Sequence, residues 1–178
     1  ELKRDAVTEG ISEKTLTQAL DGVQLSPNVL KLQSHQPERT MSIETYLANV
    51  VSHARVQKGK RLLAKHAELL ADIAQTHGIQ PRFIVALWGL ESDFGANTGG
   101  FPTIGSLATL AHAGRRRDYF RGELIAALKL VDRGEASAQR MYGSWAGAMG
   151  QCQFMPSNFL RHAVDQDNDG VRDIWGNP

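Results

Sequence analysis

Glu91 is the residue whose surroundings in the sequence most favour acid–base chemistry. The stretch from Pro81 to Gly95 predicts a helix, because proline suits a first helical turn and glycine suits the left-handed position just past the end. Most residues between them are apolar, which is typical of a buried helix. Glu91 shares the spacing of Ile84 and Leu87, so we expect its carboxyl group to be buried away from water. Desolvation raises the pKa of a carboxyl group, which can then hold a proton near neutral pH and act as a general acid.

A second interpretation of Glu91 is an inert, hydrogen-bonded carboxylate at a helix end, and the stretch alone does not separate the two. Asp93 is its only acidic neighbour in the sequence. Because two residues along a helix rotate a side chain by about 200°, we expect Asp93 to point away from Glu91. Glycosidases ordinarily place two carboxyl groups across the scissile bond, so a partner for Glu91 would have to come from elsewhere in the chain.

Composition limits the classes of function. The chain has 178 residues, enough for one domain with a real core, and its 20 basic and 19 acidic residues leave a formal charge of +1. This balance gives no reason to expect a nucleic-acid partner, and no apolar run is long enough to span a bilayer. Cys152 is the sole cysteine, which excludes an internal disulfide. Since the sequence begins at Glu1 and stops inside an apparent motif, we expect a processed or cut fragment.

The spacing of apolar residues predicts a mostly helical chain without a confident strand. We expect a break at residues 26–28, an extended loop at residues 36–40 and a further break at Gly59. His66 lies on an apolar stripe and is expected to be packed and hydrogen-bonded rather than a ligand. The expected helices are residues 12–20, a segment that starts at a Ser42 cap, a segment from Leu62 to Gly78, the stretch after Pro81, residues 104–111 and residues 118–132.

Residues 142–156 form a second informative segment, rich in glycine, aromatic and amide side chains. Glycine allows close backbone approach, and aromatic faces beside amide groups suit the faces and hydroxyl edges of a sugar. The alternative is a tight corner packed under Trp145 and Phe154, which these residues by themselves slightly favour. Residues 115–117, three consecutive arginines, favour a solvated basic turn when taken alone, and the functional alternative is a clamp for a carboxylate.

Four motifs, in order, resemble the catalytic core of the bacterial lytic murein transglycosylase B family. They are Gly-Leu-Glu-Ser at residues 89–92, Arg-Arg-Arg-Asp-Tyr-Phe at 115–120, Ser-Trp-Ala-Gly-Ala-Met-Gly at 144–150 and Gln-Phe-Met-Pro at 153–156. The N-terminal helices are similar as well, so the resemblance covers essentially the whole chain. It implies a mostly α, lysozyme-like helical catalytic domain with an EF-hand-like loop near the C-terminus. Residues 1–80 would be a helical lead-in and residues 81–178 a catalytic core that lacks its C-terminal part.

The resemblance implies cleavage of the β-1,4 bond between N-acetylmuramic acid and N-acetylglucosamine in peptidoglycan. The muramyl 6-hydroxyl would attack in place of water and leave a 1,6-anhydro end. Glu91 matches the single catalytic acid/base, and the acetamido group of the substrate would stabilise the developing positive charge. The expected substrate-binding residues are Ser144 near the muramyl N-acetyl group, Gln153 and Phe154 near the scissile bond, and Arg115 and Arg116 facing the stem peptide or lactyl carboxylate.

Two alternatives to this function stay open: a hydrolytic muramidase with the same acid, and a non-catalytic peptidoglycan-binding module. The resemblance places the protein in the envelope of a Gram-negative bacterium, in the periplasm or at the outer membrane. Its expected partners are peptidoglycan glycan strands and not nucleic acid, and the residues do not identify any other cell-wall enzyme that binds it. Catalysis is expected to need no cofactor.

Residues 165–170 resemble the start of an EF-hand loop. Asp165, Asp167 and Asp169 occupy positions 1, 3 and 5, and Gly170 occupies position 6. Carboxylates this close repel one another unless a hard cation joins them. The twelfth position is Gly176 instead of the usual glutamate, and the family's last ligand would lie beyond the sequence. We favour a structural Ca²⁺ in the complete protein over a solvated acidic turn, with weaker binding by this chain because a ligand is missing.

Overall fold

A computed structural model describes residues 2–34 and 41–176. Within these ranges the protein is mostly α, as predicted, and the extended loop predicted at residues 36–40 lies outside them. No described helix combines the length and apolar character that crossing a bilayer requires. In chain order the elements are α1 (Leu2–Thr8), α2 (Glu13–Leu20), α3 (Pro27–Ser34), α4 (Ile43–Val50), α5 (His53–Lys65), α6 (Ala67–His77), α7 (Pro81–Ser92), β1 (Phe101–Pro102), α8 (Thr103–Ala113), α9 (Arg117–Asp132), β2 (Tyr142–Gly143) and α10 (Pro156–His162).

The chain divides into two compact units. As far as residues are described, unit 1 spans Glu1–His35 and Thr98–Pro178, and unit 2 spans Gln36–Asn97. These units group residues that lie close together in space. The predicted division into a lead-in of residues 1–80 and a core of residues 81–178 groups residues by function instead. The latter therefore stays a prediction.

Unit 1 is built around α8 and α9. The buried apolar residues of α9 recur with the 3.6-residue period of a helix, and Leu124 and Leu128 are fully buried. They pack against Leu107 and Leu110 of α8, which are also fully buried. Because each large apolar side chain removed from water contributes about 1.5–3 kcal/mol, this helix pair forms the stable base of the unit.

The N-terminal helices of unit 1 pack against α9. Ser12 caps α2 as predicted, since its hydroxyl oxygen accepts a hydrogen bond from Thr15 N at 3.2 Å. The same hydroxyl donates to Asp132 Oδ1, 2.6 Å away, and thereby ties α2 to the end of α9. The break predicted at residues 26–28 is wrong, because Pro27 begins α3. A proline at the first helical position loses no hydrogen bond, so it starts this helix rather than interrupting one.

A small ladder of backbone pairs connects the loops of unit 1. β1 and β2 are antiparallel, with Phe101 opposite Gly143, and isolated bridges join Gly143 to Met149 and Met149 to Phe154. The strands have two residues each, which is too short to show the alternation that predicts a strand from sequence. A Cβ atom on Gly99 would lie 2.1 Å from the carbonyl oxygen of Gly143, so only glycine permits this close approach.

Unit 2 consists of α4 to α7, and two sequence-based expectations about it are wrong. Gly59 lies inside α5 instead of ending a helix. Its lack of a side chain makes room for the ring of Phe94, because a Cβ atom on Gly59 would lie 3.3 Å from Phe94 Cζ. The predicted helix from Leu62 to Gly78 is two helices separated at His66, where neither glycine nor proline marks the break. His66 is half-buried, with its ring edge-on to Trp88 at 5.8 Å, rather than packed in a core. Ser42 caps α4 as predicted.

Candidate active site

Helix α7 carries Glu91 one residue before the helix ends. The helix begins at Pro81 as predicted, and its buried residues Val85, Gly89 and Ser92 recur at helical spacing on one face. Glu91 is exposed, as are Leu87 and Leu90. The expectation that Glu91 is desolvated within the folded chain is therefore wrong, because the apolar composition of α7 does not reveal which of its faces is covered.

The chain turns sharply after α7. The sequence predicts that the backbone enters the left-handed region at Gly95. It does so two residues earlier, at Asp93 and Phe94, with φ of 50° and 58°. Ser92 fixes this corner, since its carbonyl oxygen accepts from Asn97 N at 2.8 Å and its hydroxyl oxygen accepts from Gly95 N at 3.0 Å. Glu91 thus lies immediately before a tightly bonded corner.

The carboxylate of Asp93 is bound by two cations of α5. Lys58 Nζ lies 3.3 Å from Asp93 Oδ2, and Arg55 Nε lies 3.4 Å from Asp93 Oδ1. Desolvation alone would raise the pKa of Asp93, but the hydrogen bonds and charges of Lys58 and Arg55 outweigh it and lower the pKa overall. Asp93 is therefore engaged as a structural anion, which removes the nearest carboxylate in the sequence as a partner for Glu91.

Ser144 and Phe154 lie in the ladder of unit 1. Ser144 N donates to Ala148 O at 2.8 Å, and Ala148 N donates back to Ser144 Oγ at 3.1 Å. Phe154 exchanges two backbone hydrogen bonds with Met149, and its half-buried side chain packs against the core. Trp145 also packs there, so the tight corner inferred from the sequence is present in the structure. The sugar-binding role of Ser144 and Phe154 stays a prediction.

Gln153 joins two loops of unit 1. Its backbone has a φ of 50°, and its side-chain Nε2 donates to Thr98 O at 3.2 Å and to Gly150 O at 2.9 Å. A left-handed residue other than glycine persists only where its surroundings hold it in place. The structure therefore gives Gln153 a structural role, and its predicted contact with the glycan stays a prediction.

Arg115 and Arg116 are exposed at the start of α9. The guanidinium group of Arg116 lies over the ring of Tyr119, 4.1 Å from its centre, while Arg115 N donates to Gln33 Oε1. Burial and the charge of Glu123 raise the pKa of Tyr119, and the charge of Arg116 opposes them. Among the described residues these arginines form a solvated basic turn, and their proposed contact with a carboxylate stays a prediction.

The acidic loop brings its three aspartates together. An oxygen atom from each of Asp165, Asp167 and Asp169 lies within 4.8 Å of the others. Asp165 accepts hydrogen bonds from Asp169 N at 3.1 Å and Gly170 N at 2.9 Å, which closes the loop on its first residue. The donor set of carboxylate oxygens fits a hard cation. Metal binding itself stays a prediction.

Three charged residues with specific partners escaped the sequence analysis: Arg55 and Lys58, which bind Asp93 in unit 2, and Glu123, which binds Ser157 in unit 1. A lysine or arginine on a helix surface carries no local signal that identifies its partner. Glu123 did carry a signal, because it shares the inward spacing of Phe120 and Leu124, and it is 5% exposed. A charged residue at a core position predicts a specific polar partner.

An apolar slot of about 300 Å³ lies between α5 and α7 in unit 2. Apart from three basic side chains its lining is apolar, with Val56, Val85 and Leu90 among the lining residues, and Glu91 does not line it. Sugar hydroxyls require hydrogen-bonding partners, so this slot does not suit a glycan.

Comparisons with known proteins identify relatives over nearly the whole chain. Residues 1–178 match the transglycosylase SLT domain. Membrane-bound lytic murein transglycosylase B of Escherichia coli (strain K12) is 30% identical over 177 residues, covering 93% of this chain and 49% of the relative.

Solved structures are similar in fold as well as in sequence. SltB3 from Pseudomonas aeruginosa, in complex with NAG-NAM-pentapeptide and with NAG-anhNAM-pentapeptide, gives a TM-score of 0.94 at 42% identity, covering 99% of this chain and 47% of SltB3. Escherichia coli lytic transglycosylase Slt35 in complex with calcium gives 0.85 at 29% identity, covering 98% of this chain and 56% of that structure.

These matches confirm the lysozyme-like helical fold implied by the sequence motifs. The chain spans about half the length of the proteins it matches. Since the family match extends over every residue of the sequence, the chain belongs to the transglycosylase SLT domain family, whose relatives named here are lytic transglycosylases.

Proposed function

We propose that this chain is a lytic transglycosylase that cleaves the β-1,4 bond between N-acetylmuramic acid and N-acetylglucosamine in peptidoglycan, with Glu91 as its single acid/base. The observation that carries the proposal is the placement of two neighbouring carboxylates. Glu91 is exposed at the end of α7, whereas Asp93 is bound by Lys58 and Arg55. One carboxyl group is thus accessible to a substrate and its sequence neighbour is held in ion pairs.

The proposed reaction needs one carboxyl group in two protonation states. Protonated Glu91 donates its proton to the glycosidic oxygen as the bond from that oxygen to muramyl C1 breaks. The resulting Glu91 carboxylate then takes the proton from the muramyl 6-hydroxyl as its oxygen bonds to C1, which forms the 1,6-anhydro ring and regenerates the acid. The acetamido oxygen of the substrate stabilises the positive charge at C1 between the two steps.

Because Glu91 is exposed in the free protein, the bound glycan must provide the desolvation that favours a protonated carboxyl group. Substrate contacts are assigned to Ser144, Gln153 and Phe154, as the family resemblance implies. The structure with NAG-anhNAM-pentapeptide supports the anhydro product, since the relative SltB3 binds a molecule that carries this group. Peptidoglycan glycan strands are accordingly the proposed partner.

Arg115 and Arg116 are proposed to face the stem peptide or the lactyl carboxylate. Both side chains are exposed, and guanidinium groups match carboxylates in geometry as well as in charge. The two complexes of SltB3 contain a pentapeptide, which supports a peptide contact in the family. The proposed location is the periplasm or the outer membrane of a Gram-negative bacterium, in keeping with the membrane-bound relative.

We also propose that the acidic loop binds a structural Ca²⁺. Asp165, Asp167 and Asp169 would hold the ion, which would neutralise the repulsion among their carboxylates and take no part in catalysis. The calcium complex of Slt35 supports this assignment. Asp173 occupies position 9 of the loop pattern. Because its carboxylate accepts a hydrogen bond from Trp175 N at 2.7 Å, we leave it out of the proposed ligand set.

Product analysis tests the proposed function. The chain is incubated with purified sacculi, and the soluble fragments are identified by mass spectrometry. Anhydromuramyl ends support the transglycosylase, whereas reducing ends identify the hydrolytic muramidase. Glu91→Gln should lower the rate by at least about 100-fold, because a positioned general acid/base contributes roughly 10²–10⁴-fold.

Glu68→Gln is the matched control, because it makes the same change at an exposed glutamate on α6. It should retain the wild-type rate. A chain that binds sacculi, releases no fragments and is unaffected by Glu91→Gln would instead be a binding module.

A further inference from the structure

The corner after Glu91 contains a backbone conformation that is unfavourable for residues other than glycine. Asp93 and Phe94 are consecutive left-handed residues, with φ of 50° and 58°, and a bulky aromatic residue rarely adopts this region. Such strain persists only where the surrounding structure holds it, and it concentrates at functional sites. The groups that hold this corner therefore also fix the turn of α7 that carries Glu91.

Lys58 of α5 contacts this corner in three ways. Its Nζ atom donates to Asp93 O at 2.7 Å, lies 3.3 Å from Asp93 Oδ2, and sits 5.1 Å from the centre of the Phe94 ring. The last carbonyl groups of a helix lack partners within the helix, and a lysine that donates to them also complements the negative end of the helix dipole. Lys58 thus binds both left-handed residues at once.

The packing beneath the corner leaves little room for adjustment. The Phe94 ring lies edge-on to Trp88 at 5.7 Å, and a Cβ atom on Gly89 would be 2.6 Å from Phe94 Cζ. If Lys58 were released, Phe94 could not move inward without displacing α7. Loss of Lys58 is therefore expected to let the corner move outward together with the last turn of α7, which carries Glu91.

We propose that Lys58 is a positioning residue for Glu91. It holds the last turn of α7 so that the carboxyl group of Glu91 meets the glycosidic oxygen in reactive geometry. This inference rests on the proposed function. A displacement of about 1 Å in a reacting group can lower a rate by on the order of 100-fold, so a contact outside the chemistry can control it.

Arg55 supports the same corner less directly. It reaches Asp93 only through the carboxylate, at 3.4 Å, and its second contact is with Val50 O at 2.5 Å. Lys58 reaches the backbone carbonyl of Asp93 as well as the carboxylate. Asp93→Asn should therefore have a smaller effect than Lys58→Met, because the carbonyl group remains and asparagine tolerates the left-handed region.

The test compares Lys58→Met with Lys60→Met in the full chain. Lys60 is an exposed lysine two residues further along α5, so its substitution removes the same charge from the same helix. Turnover of soluble, uncross-linked peptidoglycan strands is measured well below both unfolding temperatures. Lys58→Met should lower kcat on the order of 10- to 100-fold while KM changes less than about twofold, Lys60→Met should match wild type, and Lys58→Arg should recover part of kcat.

A second readout does not require activity. The ¹³C resonance of the Glu91 side-chain carboxyl group should shift in Lys58→Met and not in Lys60→Met. If the wild-type chain releases no product, the proposed function fails, but this resonance still decides whether Lys58 positions Glu91. An unchanged resonance with unchanged kcat would overturn the inference. If Lys58→Met does not fold, Asp93→Asn replaces it, with a loss of several-fold in kcat as the expected result and no loss as the contrary one.

Discussion

The buried carboxylate of Glu123 accepts two hydrogen bonds from Ser157. Ser157 N lies 2.9 Å from Glu123 Oε2, and the hydroxyl of the same serine lies 2.7 Å from Glu123 Oε1. Glu123 belongs to α9, and Ser157 is the second residue of α10, directly after the Gln-Phe-Met-Pro motif. This pair therefore joins the central helix of unit 1 to the end of the segment that carries Gln153.

Glu123→Ala should destabilise the chain by about 2–4 kcal/mol. The substitution opens a cavity in the core and leaves Ser157 N without an acceptor, and a hydrogen bond to a charged group contributes about 1.5–3 kcal/mol. Glu123→Gln should cost less, since an amide can accept from Ser157 N and donate to the hydroxyl oxygen. Urea unfolding measures the free energies. Equal losses in the two variants would show that the hydrogen-bond geometry is unimportant.

Gly89→Ala should destabilise the chain by up to about 2.5 kcal/mol, although alanine is the better helix former. The gain in a helix is about 0.5–1 kcal/mol, whereas overpacking against Phe94, whose Cζ atom would be 2.6 Å from the new Cβ atom, costs about 1–3 kcal/mol. Thermal and urea unfolding measure the change.

Gly122→Ala is the control for this substitution. Gly122 lies on the exposed face of α9, and a Cβ atom there would meet nothing within 4 Å. It should therefore stabilise the chain by about 0.5–1 kcal/mol. If both substitutions destabilise the chain, the assumed gain in helix propensity is wrong, and the effect of Gly89→Ala cannot be assigned to contact with Phe94.

Several helix boundaries of this chain were predictable because their signals are local, whereas α1, α3 and α10 were not predicted. Ser12, Ser42 and Pro81 start helices where serine caps and a first-turn proline predict them, and Gly78 ends α6 in the left-handed conformation. Burial is a property of tertiary packing, and so it was not predictable from α7 alone. Its apolar residues occupy several faces, and within the described ranges its fully buried residues, Val85, Gly89 and Ser92, share one of them.

The candidate site was predictable only in part, for a similar reason. Residue types and motif spacing select Glu91 and the glycine-rich segment as candidates. The partner of Asp93 was not predictable, because Lys58 lies 35 residues earlier and meets it only through the packing of α5 on α7. Gln153 shows the same limit, since its role in joining two loops depends on Thr98, 55 residues away.

Gln153→Glu should destabilise unit 1 by about 2–3 kcal/mol. The substitution replaces a donor with a carboxylate that faces the carbonyl oxygens of Thr98 and Gly150. Both oxygens lose the side-chain donor, and Gly150 O keeps only the backbone N–H of residue 153, at 3.4 Å. Gln139→Glu is the control, because Gln139 is exposed and accepts a hydrogen bond from Ser137, which a carboxylate can accept equally. The measurement is the unfolding midpoint in urea. The proposed contact of Gln153 with the glycan predicts that Gln153→Glu also lowers the affinity for soluble glycan, measured in a Glu91→Gln background.

Asp132 should make the stability of the chain depend on pH in the acid range. The hydrogen bonds from Ser12 and Thr15 lower the pKa of Asp132 in the folded state. A lowered folded-state pKa stabilises the fold above the unfolded pKa of about 3.9, and this contribution is lost as pH falls through the folded value. Asp132→Asn should therefore lower Tm at pH 7, and the difference from wild type should narrow below about pH 4.

Lys129 provides the comparison for this experiment, because its ion pair with Glu9 at 2.8 Å also tethers the N-terminal helices to α9. Lys129→Met should lower Tm less at high salt than at low salt, since exposed ion pairs are screened. The hydrogen bonds between Asp132 and the two hydroxyl groups should be much less sensitive to salt. A Tm difference for Asp132→Asn that stays constant down to pH 2 would contradict the assigned pKa direction.

Calcium should raise the unfolding temperature through the acidic loop. At a concentration ten times Kd, mass action adds about 1.4 kcal/mol, which in a chain of this size raises Tm by about 3–6 °C. Asp167→Asn should abolish the shift because it removes a charge from the cluster of three carboxylates, whereas Asp72→Asn on α6 should retain it. Differential scanning calorimetry with CaCl₂ and, separately, with MgCl₂ makes the measurement. Equal shifts in the wild type and Asp167→Asn would place the ion elsewhere, and a shift with magnesium alone would exclude the large oxygen-rich site proposed for this loop.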